Sequence, residues 1–136
     1  MPILGCSMDR QERQTRHRIL IVEDENDLVE LLSYTLIRDG YDVITAADGE
    51  TALQRATYEH PDLVLLDVLL PGLDGFAVCE LMRSHDATRS IPVVMMTSWT
   101  TSHARELGRE LGAQDYITKP FSIRELKRRI DTAITD

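Results

Sequence analysis

Short apolar segments alternate with segments of helical periodicity along most of the chain. The pattern begins with the apolar run at 18–23, which ends in acids, and a helical segment that closes at Gly40. The apolar residues of this first helix recur at helical spacing and form its predicted inner face: Leu28, Leu31, Leu32 and Leu36. The strand–helix pairs are RILIVE with DLVELLSYTLIRDG, YDVITAA with GETALQRATYEH, DLVLLDV with DGFAVCELMRSH, IPVVMMT with HARELGRELG, and DYITK with SIRELKRRIDTAI.

This alternation predicts an α/β fold with a five-stranded parallel sheet and helices on both faces. Continuous apolar strands are typical of parallel sheets that are buried on both sides, and right-handed crossovers limit the topologies that remain. With 136 residues and 43% hydrophobic content, the chain suits one domain with one core. We expect this domain to span 18–136 and residues 1–17 to form a flexible leader.

The charge of the chain argues against a nucleic-acid-binding domain. The formal net charge is −8, and four arginines lie within 1–18, so the remainder is strongly acidic.

The longest apolar runs have the length of strands, which predicts no membrane contact. Cys6 and Cys79 suggest neither a disulfide framework nor a metal site, and we expect a cytoplasmic protein.

Polar residues end the predicted strands, and Asp67 is the most unusual of them because it lies inside the apolar run DLVLLDVLLPG. Parallel α/β sheets bind ligands beyond the carboxyl ends of their strands, so these residues should form one site. They are Glu23, Asp24, Asp67, Thr97 and Lys119.

Converging carboxylates repel one another unless a cation lies among them, and hard oxygen ligands select Mg²⁺. Such a cation would keep Asp67 ionised. If the remaining partner is a phosphate, Thr97 can donate a hydrogen bond to it and Lys119 can neutralise its charge. Asp67 is then the candidate nucleophile. Taken singly, an aspartate or threonine at such a position is also a common helix N-cap.

Four motifs resemble the receiver domain of bacterial two-component response regulators, from about residue 18 to 135. The motifs are ILIVEDE, LLDVLLPGLDG, IPVVMMTS and GAQDYITKPFS, in the family's order and spacing. The resemblance implies a flavodoxin-like, doubly wound (βα)5 fold. It also implies that Asp67 accepts a phosphoryl group from a sensor histidine kinase or a phosphotransfer protein, and that an effector domain or output protein is a further partner.

The resemblance assigns roles to the remaining site residues. Mg²⁺ would be held by Glu23, Asp24 and Asp67 together with the Leu69 backbone carbonyl. Thr97 and Lys119 would bind phosphoryl oxygens, and Thr97 and Tyr116 would act as the switch pair. The Lys119–Pro120 peptide bond is expected to be cis. The two side chains that flank the approach of hydrolytic water are Leu69 and Trp99, and we expect their apolar surfaces to slow dephosphorylation.

Two other function classes compete with this interpretation. A haloacid-dehalogenase-type phosphatase also uses a strand-end Asp with Mg²⁺ and Lys. Enzymes of that type resemble one another in a D-x-D motif that begins with the nucleophile, and the position of its second Asp is Leu69 in this chain. Without an acid/base group there, turnover of small substrates is poorly supported. The other rival is an interaction domain that has lost the chemistry, although all five site positions are chemically competent.

The segments VEDE, RSIPVVMMT and DYITKPFS most resemble receivers that drive winged-helix transcription factors. The resemblance to that group implies activation by dimerisation through the fourth helix, fifth strand and fifth helix. The charged pairs Arg105 with Glu125 and Asp115 with Arg129 match that group. The positions of its apolar patch, however, are polar in this chain, so a homodimer on phosphorylation remains an open alternative. These positions are Glu106, Arg109 and Lys127.

Overall fold

The computed structural model of the chain describes residues 16–98 and 102–135. Five strands and five helices alternate along these residues, in agreement with the sequence pattern. They are β1 (Arg18–Val22), α1 (Asn26–Arg38), β2 (Asp42–Ala46), α2 (Gly49–Glu59), β3 (Leu63–Asp67), α3 (Gly75–Ser84), β4 (Val93–Thr97), α4 (Ser102–Glu110), β5 (Asp115–Thr118) and α5 (Ile123–Thr135). Residues 1–15 of the predicted leader lie outside the described residues, so the boundary at residue 18 stays a prediction.

All five strands pair in parallel in one sheet of order β2-β1-β3-β4-β5. Leu20 of β1 pairs with Ile44 of β2 on one side and with Val64 of β3 on the other. The order reverses direction between β1 and β3, which is where doubly wound sheets open a crevice for ligands. The fold prediction is therefore confirmed.

Side chains alternate between the two faces of the sheet and bury both of them. Leu20 and Val22 of β1 belong to the core beneath α2, α3 and α4. Ile19 and Ile21 belong to the opposite core, beneath α1 and α5. Because successive residues of a strand point to opposite faces, a strand that is covered on both sides must be apolar at every position. This requirement explains why Asp67 stands out at the end of β3.

The predicted inner face of α1 was wrong at one position. Leu32 and Leu36, one turn apart, are buried against the sheet, and Leu28 packs partly against the same core. Leu31, in contrast, is 49% exposed. Leu31 precedes Leu32 by one residue, so the two side chains point about 100° apart around the helix axis. Because only a narrow stripe of α1 faces the sheet, Leu31 lies outside it. Among the described residues, no helix is both long and apolar enough to cross a membrane.

Gly75 fixes the distance between α3 and the end of β3. Its backbone N–H donates to the Val68 carbonyl at 2.9 Å, and the preceding Asp74 caps α3 by accepting from the Ala77 N–H at 2.9 Å. A Cβ atom at Gly75 would lie 2.5 Å from the Asp67 backbone oxygen and 2.7 Å from Val68 Cα. Both neighbours are backbone atoms at the buried C-terminal end of β3 and the residue after it, so a larger residue must displace α3 or the strand end that carries Asp67.

We expect Gly75→Ala to lower the free energy of unfolding by about 1–3 kcal/mol, because overpacking forces the backbone to shift. Urea denaturation of the variant beside the wild type measures this. Glu80→Ala is the matched control, since Glu80 is exposed on the same helix, and its effect should stay within about 0.5 kcal/mol. Equal stability of Gly75→Ala and the wild type would show that the contact is not rigid.

Candidate functional site

The parallel sheet brings the predicted site residues together at one edge. Glu23 and Asp24 directly follow β1, Asp67 ends the neighbouring β3, and Thr97 ends β4. Lys119 directly follows β5. The carboxyl ends of parallel strands meet at the same edge, so these five positions surround one crevice. The carboxylates of Glu23 and Asp67 and the hydroxyl of Thr97 are buried there.

Lys119 links the two buried carboxylates. Its Nζ lies 2.7 Å from Glu23 Oε1 and 3.4 Å from Asp67 Oδ2. Backbone N–H groups hold the other oxygens, since the Glu25 N–H donates to Glu23 Oε2 at 3.1 Å and the Leu69 N–H donates to Asp67 Oδ1 at 3.1 Å. Each buried carboxylate is therefore held from two sides, as a buried charge requires.

These contacts shift the pKa values of Glu23 and Lys119. Burial raises the pKa of the Glu23 carboxyl, and the Asp67 charge adds to this, so the pKa stays above its ordinary value despite the hydrogen bonds from Lys119 and the Glu25 N–H. Burial by itself would lower the pKa of Lys119, but the hydrogen bond to Glu23 and the charges of Asp67 and Glu23 outweigh it and raise the pKa. Lys119 therefore remains a cation at the centre of the site.

The site has the donor set of a hard-cation centre. One carboxylate oxygen from each of Glu23, Asp24 and Asp67 lies within 4.8 Å of the others. Asp24 is exposed while its two companions are buried, so the cluster opens to solvent on one side. Three carboxylates around an open position suit Mg²⁺, which keeps several waters or phosphate oxygens among its ligands.

The loop after β5 turns Lys119 toward the crevice. The Lys119 backbone N–H donates to the Thr97 carbonyl at 2.8 Å, which joins the ends of β4 and β5. The Lys119–Pro120 peptide bond is cis, so that prediction is confirmed. Leu69, which was predicted to flank the water approach, is 46% exposed, and its backbone N–H donates to Asp67. Trp99, its predicted companion, lies outside the described residues.

Tyr116 lies beneath α4 rather than in solvent. The residue is only 8% exposed, and the guanidinium carbon of Arg105 lies 5.4 Å from the centroid of the Tyr116 ring. Arg105 also donates from Nη2 to Thr118 Oγ1 at 2.8 Å. Burial raises the pKa of Tyr116, although the Arg105 charge opposes this. Arg105 was predicted from the sequence only as a dimer contact, and its position over the Tyr116 ring was not predicted.

Three of the four charged residues that matched an activation dimer pair within the chain, Asp115 and Glu125 each with Arg129. Arg129 Nη1 lies 2.6 Å from Asp115 Oδ1, and Arg129 Nε lies 2.9 Å from Glu125 Oε1. Lys127, at a position of the expected apolar patch, pairs with Asp39 at 3.0 Å. Within the described residues, the part of this face formed by β5 and α5 therefore carries ion pairs.

Comparisons with known proteins agree with this geometry. Residues 19–131 match the model of the family described as "Response regulator receiver domain". The alkaline phosphatase synthesis transcriptional regulatory protein PhoP of Bacillus subtilis (strain 168) is 51% identical over 113 residues, which cover 83% of this chain and 46% of that protein. The chain thus spans just under half the length of this curated relative.

Solved structures of similar chains include the BeF3-activated N-terminal receiver domain of Klebsiella pneumoniae RstA. It is 33% identical to this chain with a TM-score of 0.81, and the match covers 88% of this chain and 99% of that one. The receiver domain of a sensor histidine kinase from Pseudomonas aeruginosa PAO1, which holds a magnesium ion in its active-site cleft, is 31% identical with a TM-score of 0.82 and coverage of 90% and 100%. These matches lend no support to the phosphatase alternative. The family match and the shared fold show that this chain belongs to the response regulator receiver domains, the phosphoryl-accepting domains of two-component signalling.

Proposed function

We propose that Asp67 is the residue that accepts the phosphoryl group. The observation that carries the proposal is the convergence of Glu23, Asp24 and Asp67 within 4.8 Å at the edge where Lys119 Nζ lies 3.4 Å from Asp67. An Asp67 carboxylate oxygen attacks phosphorus, the bond between phosphorus and a partner's histidine nitrogen breaks, and that nitrogen keeps the electron pair. The partner is a sensor histidine kinase or a phosphotransfer protein.

Mg²⁺ is the cofactor that the donor set fits, with Glu23, Asp24, Asp67 and the Leu69 backbone carbonyl as its protein ligands. When bound, it supplies charge neutralisation for the crowded carboxylates and for the incoming phosphoryl oxygens. The solved neighbour from Pseudomonas aeruginosa PAO1 holds a magnesium ion in its cleft, which supports this assignment by similarity.

Lys119 and Thr97 complete the site as groups that bind phosphoryl oxygens. The Lys119 ammonium already lies between Glu23 and Asp67, so a small movement brings it to an oxygen on the phosphoryl group. The Thr97 hydroxyl, at the end of the neighbouring strand, donates to another. Phosphoryl transfer needs mainly positioning and charge stabilisation from a protein, and these groups provide both. In this proposal the domain catalyses only its own phosphorylation and dephosphorylation.

Thr97 and Tyr116 form the switch in this proposal. Movement of the Thr97 side chain toward the phosphoryl group vacates space into which the Tyr116 ring can turn. The ring then leaves its position beneath Arg105, which alters the surface of α4, β5 and α5. An effector domain or output protein reads that surface, and a second copy of the chain is an alternative reader. The acidic character of the chain disfavours direct nucleic-acid contact by this domain.

Incubation with acetyl phosphate and Mg²⁺, followed by mass spectrometry of peptides, tests the acceptor assignment. We expect one phosphoryl group on Asp67, no labelling without Mg²⁺, and no labelling of Asp67→Asn. Asp62→Asn is the control, because Asp62 lies at the opposite end of β3, where it accepts from the Arg18 N–H at 2.7 Å. A label on another residue in the wild type would refute the assignment.

Leu69 should control how long the phosphoryl group survives. Its half-exposed aliphatic side chain lies next to Asp67 and has no polar atom with which to orient an attacking water. We expect Leu69→Asn to hydrolyse its phosphoryl group several-fold faster at the same Mg²⁺ concentration, because an amide can hold water in line with phosphorus. Leu31→Asn, a change on the exposed face of α1, should decay like the wild type. Unchanged decay in Leu69→Asn would exclude shielding by this side chain.

A further inference from the structure

The helix α4 packs on the sheet through very little apolar surface. Its buried residues are Ala104 and Gly108, and both are small. A Cβ atom at Gly108 would lie 3.1 Å from Met95 Sδ and 3.4 Å from Tyr116 Cδ2, so the helix backbone rests directly on these side chains. Stabilisation by burial scales with the apolar area removed from water, and small residues contribute little of it. The position of α4 therefore depends on other contacts.

Arg83 of α3 supplies such a contact at the C-terminal end of α4. Its Nε donates to the Gly112 carbonyl at 3.1 Å, in the turn that follows α4. Its terminal nitrogens donate to the loop before β4, from Nη2 to Ile91 O at 2.7 Å and from Nη1 to Arg89 O at 2.7 Å and Thr88 O at 3.4 Å. All three nitrogens of the guanidinium are engaged, and they join two loops that are distant in sequence.

The turn after α4 is shaped to receive this guanidinium. Gly112 has φ +99°, and a Cβ atom there would lie 2.6 Å from Arg83 Nε, so the contact requires glycine. One helical turn before Arg83, the Cys79 thiol donates to the Leu111 carbonyl at 3.3 Å. A cation at the C-terminal end of a helix also interacts favourably with the helix dipole. The end of α4 is thus held by two side chains of α3.

The clamp, defined as Arg83 with its four carbonyl partners, lies at the end of the sheet opposite to Asp67. Next to it, the Gln114 N–H donates to the Val93 carbonyl at 2.8 Å, which joins the start of β5 to the start of β4. The phosphoryl-accepting edge lies at the carboxyl ends of the same strands, where Thr97 precedes the first turn of α4. One end of α4 is therefore fixed away from the site, while the other follows a site residue.

We infer that Arg83 is a positioning residue that makes the C-terminal end of α4 the pivot of its switching movement. Rearrangement at Thr97 and Tyr116 displaces the N-terminal end of α4, and the clamp holds the other end in register with β5. This inference rests on the proposed switch, and it assigns a role to Arg83, whose hydrogen bonds go to the loop before β4 and the turn after α4 rather than to the phosphoryl site.

Hydrogen–deuterium exchange along α4 and the following turn tests the pivot, with and without acetyl phosphate and Mg²⁺. In the wild type we expect phosphorylation to change exchange in the first half of α4 and to leave the turn at Leu111 and Gly112 unchanged. Arg83→Met has similar length but no donors. In this variant we expect exchange in the turn to rise about tenfold or more, as the loss of charged hydrogen bonds predicts, and to become sensitive to phosphorylation.

Two further variants make the test specific. Arg89→Met keeps the backbone carbonyl that Arg83 binds and removes a side chain that, among the described residues, pairs with the exposed Asp86 at 3.3 Å, so it should behave like the wild type. Arg83→Lys keeps the charge and reaches fewer carbonyls, so it should restore part of the protection. If Arg83→Met fails to fold, Arg83→Lys is compared with the wild type instead, and exchange in the turn should be faster in Arg83→Lys.

Two results would overturn the pivot. One is exchange in Arg83→Met that matches the wild type. The other is exchange that rises uniformly over all elements in proportion to the lost global stability, since this would make Arg83 a general structural residue. Mass spectrometry of the same samples separates this outcome from failure of the proposed function. Absence of a phosphoryl group on wild-type Asp67 counts against the acceptor assignment, while the unphosphorylated samples still decide whether Arg83 holds the turn.

Discussion

The organisation of this domain depends on the repulsion among three carboxylates that the fold brings together at the ends of β1 and β3. Two unit charges about 4 Å apart repel by about 4 kcal/mol at an effective dielectric constant of about 20. Lys119 offsets part of this cost by lying within 3.4 Å of both Glu23 and Asp67, and two backbone N–H groups offset more. A bound cation or a phosphoryl group on Asp67 would change the same balance of charge, so the carboxylate cluster is where we propose that the signal acts.

The two helices that flank β5 are attached to the domain in different ways. Helix α5 buries Leu126 and Ile130 and is tied to the loop after α1 by the Lys127–Asp39 ion pair, while α4 buries only small residues and relies on Arg83 beyond its N-terminal connection. This asymmetry makes α4 the more readily displaced of the two. Lys127 stands at a position of the apolar patch that the resemblance predicted, and its ammonium pairs with Asp39 within the chain instead.

Much of the fold and the site could be predicted from the sequence because both follow from local rules. Continuous apolar strands required a sheet covered on both faces, and polar residues at strand ends had to meet at one edge, so Glu23, Asp67 and Lys119 were found from position alone. Features that depend on tertiary contacts could not be predicted. The exposure of Leu31 depends on how narrow a stripe of α1 meets the sheet. The roles of Gly75, Arg83 and Arg105 depend on backbone or ring atoms that are distant in sequence, and a lone glycine or arginine in a helix carries no periodic signal.

The most direct test of the central claim is a structure determined with Mg²⁺ and beryllofluoride, a mimic of the phosphoryl group. The account predicts beryllium bonded to a carboxylate oxygen of Asp67. It predicts the metal among Glu23, Asp24, Asp67 and the Leu69 carbonyl, with Lys119 Nζ moved from Glu23 to a fluoride and the Thr97 hydroxyl on another. Beryllofluoride on any other residue, or a metal that leaves Glu23 paired with Lys119 and outside its coordination sphere, would contradict it.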